Sequence, residues 1–129
     1  MSNGVFLGNL NLWLLGGVLL YVVYKSIFKK YLAPKRKEIY NKTYRGLKAI
    51  HPILAMTMIF LGTYHGYLML GTIRFHTGLI IILALIYMLS TYLLGRNKAL
   101  KQHWKYYHRL GAVIVLSAVL IHLNFPNVF

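Results

Sequence analysis

Residues 105–124, KYYHRLGAVIVLSAVLIHLN, hold an apolar segment closed at its two ends by His108 and His122. At about 100° and about 1.5 Å per residue, fourteen helical steps return to within roughly 40° of the starting face and climb about 21 Å. Both imidazoles therefore look to one side of the helix, one near each boundary of a bilayer. The same spacing occurs between His51 and His65. The chain thus offers two apolar helices, each with a histidine at both ends of one face.

Composition places these helices in a membrane. The 129 residues are 58% hydrophobic, and Glu38 is the only acidic residue against fifteen Lys and Arg. One domain fits that length, and a bilayer fits that composition. The formal charge of +14 sits in clusters between long apolar runs, which suits membrane-flanking loops and lipid headgroups and argues against nucleic acid as a partner. With no cysteine in the chain, disulfides, thiolate ligands, iron–sulfur clusters and covalent haem attachment are excluded.

Four stretches read as spans, over about 9–28, 50–71, 77–94 and 108–124, which predicts an all-α, integral membrane four-helix bundle. Met1 to Tyr24 carries no charge, and neither a basic start nor a small-residue cleavage site marks it as a signal peptide, so it reads as a retained first span. Residues 25–48 read as a basic loop with an interfacial helix containing Tyr31 and Tyr40. Pro126 closes the fourth span.

Loop charge orients the bundle. The first connection holds Lys25, Lys29, Lys30, Lys35, Arg36, Lys37, Lys42, Arg45 and Lys48, and the third holds Arg96, Lys98, Lys101, Lys105 and Arg109. The second holds only Arg74, so both termini are expected outside and the two basic loops in the cytoplasm. Spans two and four then run parallel, with His51 level with His108 at the inner boundary and His65 level with His122 at the outer one.

Imidazole in hydrocarbon is costly unless it faces the bundle interior and finds a partner. One such histidine is as readily structural as functional, but four at matched depth on parallel helices form a pattern. Structural zinc wants four ligands in one place, whereas these pairs stand about 21 Å apart with no cysteine or carboxylate at either level. Two imidazoles facing each other from neighbouring helices suit the axial positions of a haem iron, so His51 with His108 and His65 with His122 are the expected ligands of two noncovalent b-type haems. Ala55, Gly62, Gly111, Ala112 and Ala118 share the histidine faces, either to leave room for a porphyrin or for ordinary helix packing. Arg109 at the inner level and Arg74 at the outer are candidate partners for haem propionates, alongside Arg45, Lys48 and Lys105. Tyr21, Tyr24, Tyr31, Tyr40, Tyr44, Trp104, Tyr106 and Tyr107 read as an inner aromatic belt, and His76 and His103 as exposed loop residues. Pro52, directly after His51, predicts a helix start or kink there.

The arrangement of His51 and His65 in one span, a single intervening span, and His108 and His122 in another, with Trp104 leading into His108-Arg109-Leu110, resembles the ferric reductase-like transmembrane domain. That family includes NADPH oxidases, ferric-chelate reductases and the YedZ type of bacterial haem subunit. The resemblance spans about His51 to Asn124. It implies that the four histidines ligate two stacked haems passing electrons across the membrane, in the haem-bearing subunit of an oxidoreductase. A bacterial or archaeal cytoplasmic membrane is the expected location. Relatives often have six spans and an attached flavin and nicotinamide domain. Here four spans are expected, and no Gly-x-Gly-x-x-Gly follows a strand, so the donor is expected to be a separate flavoprotein subunit or membrane quinol, with the acceptor on the outer face. The alternative is a transporter or proton-relay subunit using the intramembrane histidines, against which stands the lack of Asp or Glu in any expected span. The topology has a direct test: a reporter fused after Phe129 should be active on the outer side alone, and activity confined to the cytoplasm would invert inner and outer throughout.

Overall fold

The computed structural model describes residues 3–32, 34–71, 76–95 and 102–125. Four helices are long and apolar enough to cross a membrane, and no strand occurs among the described residues. We name them α1 (Asn3–Tyr31), α2 (Lys37–Leu70), α3 (Thr77–Leu94) and α4 (Trp104–Asn124). Helix is what such sequences must form in lipid, because each backbone N–H and C=O then finds its partner within its own segment. The last turns of α1 depart from the α pattern, with Tyr24–Phe28 winding as a π-helix before Lys29–Tyr31 resumes. Gly71 ends α2 in the left-handed region at φ 65°, donating its N–H to the Tyr67 carbonyl at 2.8 Å. A side chain with a Cβ takes that conformation only at a cost.

The apolar pattern locates α3 residue for residue, while the other helices overrun it. α1 begins at Asn3, and α4 begins at Trp104 rather than near His108. The largest correction is α2, which starts at Lys37, so the basic stretch from Lys37 to Lys48 is helix and not loop. The sequence signal used there was charge, which marks where the bilayer ends and says little about where the helix ends. Lys, Arg, Glu and Leu are good helix formers, and Glu38 in the first turn complements the helix dipole. At about 1.5 Å per residue the 34 residues of α2 extend about 51 Å, well beyond a hydrocarbon core of about 30 Å. The helix also runs through Pro52 without a break. Pro52 lacks the N–H that would bond the Lys48 carbonyl, so the proline removes one rung of the ladder rather than starting the helix.

A column of rings ties the overhang of α2 to the end of α1. Tyr24 stacks on Tyr40 at 5.5 Å and 9°, Tyr40 on Tyr44 at 5.9 Å and 12°, and Tyr44 on Tyr21 at 5.8 Å and 28°. The Tyr21 and Tyr44 hydroxyls are 3.3 Å apart. Of the expected belt, Tyr31, Tyr106 and Tyr107 are exposed, but Tyr24 and Tyr40 are buried between helices.

Close backbone packing joins α1 to α2, α2 to α3, and α3 to α4. The two histidine-bearing helices, α2 and α4, meet through side chains across the bundle. Leu15, Met58, Ala84, Leu85 and Val115, drawn from all four helices, form one buried layer at mid-height. Large side chains such as Trp13 and Phe60 face outward, as a lipid-facing surface requires. Gly111 allows α4 to lie against α3, since a Cβ there would stand 2.5 Å from Met88 Cγ and 3.1 Å from Tyr87 Cδ1. Its smallness therefore serves helix packing. Gly111→Leu should lower stability by about 1–3 kcal/mol through overpacking, read as earlier unfolding in detergent. Gly16→Leu, where a Cβ meets nothing within 4 Å, should leave the unfolding transition in place.

Candidate functional site

The structure gathers His51 with His108 at one end of the bundle and His65 with His122 at the other. The His51 and His108 rings have centroids 6.3 Å apart, inclined at 58°. His65 and His122 line a common cavity of about 640 Å³. Fourteen steps on each of two parallel helices thus produce one facing pair and one pair on the wall of a shared cavity.

Each imidazole is half-buried, and the neighbouring helix supplies most of its Nδ1 partners. His65 Nδ1 lies 2.8 Å from the Gly4 carbonyl of α1. His122 Nδ1 lies 2.6 Å from Thr77 Oγ1 at the start of α3. His108 Nδ1 lies 3.2 Å from the Met88 carbonyl and 3.5 Å from Thr91 Oγ1, both on α3. His51 differs. Its Nδ1 is buried without a hydrogen-bond partner. An Nδ1–H donated to oxygen fixes the tautomer and leaves Nε2 as the free donor atom, the usual arrangement of a metal-bound histidine.

Glycines seat the outer rings. A Cβ on Gly8 of α1 would stand 3.0 Å from His65 Cε1, and one on Gly78 of α3 would stand 3.6 Å from His122 Cε1. His76 was expected in an exposed loop, but it is half-buried against Gly78 and Gly66: its Nε2 would lie 2.8 Å from a Cβ on Gly78 and 3.7 Å from one on Gly66. Close approach to two helices at the rim of the outer cavity draws it inward. His103 is exposed and immediately precedes α4. Arg109 follows His108 and is exposed, while Arg74 and Pro126 lie outside the described residues. Trp104 covers Gly95 and meets His108 edge-on at 5.9 Å and 65°. On the other side, Tyr21 lies 4.9 Å from the His51 ring, so the tyrosine column ends on the inner pair.

The two levels fit an iron-bound macrocycle in different respects. The inner pair brings two imidazoles to 6.3 Å, centroid to centroid. Its cavity, however, is only about 70 Å³, filled in by Leu19, Met88, Leu89 and Tyr92 around Ala55 and Ala112. The outer cavity has the room, within the range of about 300–1,000 Å³ common to ligand pockets. Its wall includes Asn11, whose Oδ1 is buried without a partner. Leu15, Met58 and Leu85 line both cavities and form the partition between them. Among the described residues no group of three or more His, Cys, Asp or Glu comes close enough to hold a metal ion. The inner level offers two imidazoles, and the outer offers His65 and His122 with His76 at the cavity rim, so neither presents the ligand set of a tetrahedral site.

No protein-family model, curated protein or solved structure matches the chain. The pairing is testable without any cofactor because the chain has no cysteine. Cysteine pairs at 51/108 and at 65/122 should be bridged by a short thiol crosslinker, while 51/122 and 65/108 should not. Bridging of the diagonal pairs would contradict the parallel register of α2 and α4.

Proposed function

We propose that this chain is an integral membrane b-type cytochrome with two haems, conducting electrons across the bilayer as the haem-bearing subunit of a ferric reductase-like oxidoreductase. The observation that carries the reading is the arrangement of four imidazoles as two pairs, one facing and one on the wall of a shared cavity, with three of the four rings placing Nδ1 beside a protein oxygen. When bound, b-type haem supplies a one-electron couple at each level. His51 and His108 hold the inner group, and His65 and His122 the outer. The mid-height layer of Leu15, Met58, Leu85 and Val115 excludes water between them. Arg109, exposed beside His108, is placed for a propionate at the inner rim, and Arg74 is the corresponding residue expected at the outer.

Loop charge supports an orientation with both termini outside and the overhang of α2 in the cytoplasm, in a bacterial or archaeal cytoplasmic membrane. In that orientation the His51–His108 level would face the donor, a separate flavoprotein or quinol, and the His65–His122 level would face an acceptor on the outer side. The proton-relay reading draws less support, since the apolar layer interrupts any polar route between the two cavities.

Purified protein should carry two noncovalent haems per chain, low-spin in both oxidation states, by pyridine haemochrome assay and absorption before and after dithionite. Clearly less than one haem per chain after full loading would end the proposal. Replacing His65 or His122 by Ala should leave one haem that a cytoplasmic donor reduces while transfer to an external acceptor stops. Replacing His51 or His108 should leave one haem that is reducible from outside only. Vesicles fed electrons from one side at a time distinguish the two classes. Identical behaviour in both would exclude an ordered path.

A further inference from the structure

The intervening helix carries its own pair at the histidine spacing. Thr77 and Thr91 are fourteen residues apart on α3 and are the two buried polar residues among those described, 2% and 8% exposed. Because α3 runs antiparallel to α4, Thr77 meets His122 and Thr91 meets His108. α1 does the same for one ring of α2, with the Gly4 carbonyl 2.8 Å from His65 Nδ1, while His51 Nδ1 has no hydrogen-bond partner. It is therefore α4 whose two histidines are both backed by oxygen from a companion helix.

Resting on the haem reading above, we infer that Thr77 and Thr91 are positioning residues for the two α4 ligands, Thr77 acting directly on His122 and Thr91 through the Met88 carbonyl. The two contacts differ. His122 Nδ1 and Thr77 Oγ1 stand 2.6 Å apart; with Nε2 given to iron the proton sits on Nδ1 and is donated to Oγ1, which would hold that tautomer and make the imidazole a stronger donor. At the inner level the Thr91 hydroxyl donates to the Met88 carbonyl at 2.8 Å. That same carbonyl accepts Nδ1–H of His108 at 3.2 Å. A carbonyl already shared with Thr91 pulls less on the imidazole proton, so His108 is the less strongly polarised ligand. A more basic axial ligand stabilises ferric over ferrous iron. Loss of the Thr77 hydroxyl should therefore raise the potential of the outer haem, whereas loss of the Thr91 hydroxyl, which frees the Met88 carbonyl for His108, should not raise the inner one.

The test compares Thr77→Val with Thr77→Ser, each made in a His51→Ala background so that only the outer level is occupied. Haem itself is the probe, followed by binding titration, potentiometric titration and ferric low-spin resonance. Thr77→Val is expected to bind haem about 10–100-fold more weakly, with a raised potential and altered resonance positions. Thr77→Ser should stay close to the parent. Circular dichroism of the same preparations separates an altered ligand from lost helix. If Thr77→Val folds, binds haem with the parent's affinity and keeps its potential and resonance, the inference is overturned. A serine variant that behaves like the valine variant also overturns it. Thr91→Val in a His65→Ala background provides the second arm, and a raised potential there contradicts the carbonyl route. Absence of haem from the unmodified chain would instead overturn the function on which the inference rests.

Discussion

An imidazole inside a bilayer has no water to bond, and that constraint shapes this molecule more than any other. Four rings must be kept half-buried, turned inward and given oxygen. Helix α3 meets the demand for α4 with two threonines and a carbonyl, and α1 meets it for His65 of α2 with the Gly4 carbonyl. The same pairs of helices, α1 with α2 and α3 with α4, pack closely. Gly8, Gly78 and Gly111 fall where a ring or a neighbouring helix comes near. His51 is the ring for which the arrangement falls short, and its Nδ1 is left buried without a partner.

Much of this was legible in the residues. Hydropathy gave four spans and placed α3 without error, because that helix is uniformly apolar between two breaks. Periodicity gave the two pairs, since helical rise and turn are fixed quantities. Less was legible where a residue's role depends on its neighbour. The overhang of α2 was hidden because lysines and arginines are as helical as they are soluble, and the tyrosines that clamp it looked like a boundary belt. His76 was misplaced because a connector histidine carries no signal of the glycines on either side. Thr77 and Thr91 share the spacing of the histidines and were open to the same arithmetic. They were passed over because threonine inside an apolar span is common and is usually satisfied by its own helix, as Thr57 and Thr63 are.

The inner and outer levels are alike in ligand type and unlike in surroundings. The inner pair is hemmed in by Trp104, Tyr92 and the tyrosine column, with little free space. The outer pair borders a roomy cavity that includes His76 and Asn11. On the haem reading, equal ligands in unequal settings are a physical basis for unequal electron affinity at the two levels.

The pairing of each histidine helix with its companion also bears on how the protein comes together. The hydrogen bonds described between helices join α1 to α2 and α3 to α4. The α3–α4 hairpin can therefore enter the lipid with both of its histidines matched, whereas α1–α2 carries His51 Nδ1 and Asn11 Oδ1 without partners. Between the hairpins lie the apolar seam of α2 with α3 and the facing rings of His51 and His108. On the haem reading, the cofactors are then cross-braces between the two hairpins, and removing them would loosen the join while leaving each hairpin's own hydrogen bonds in place.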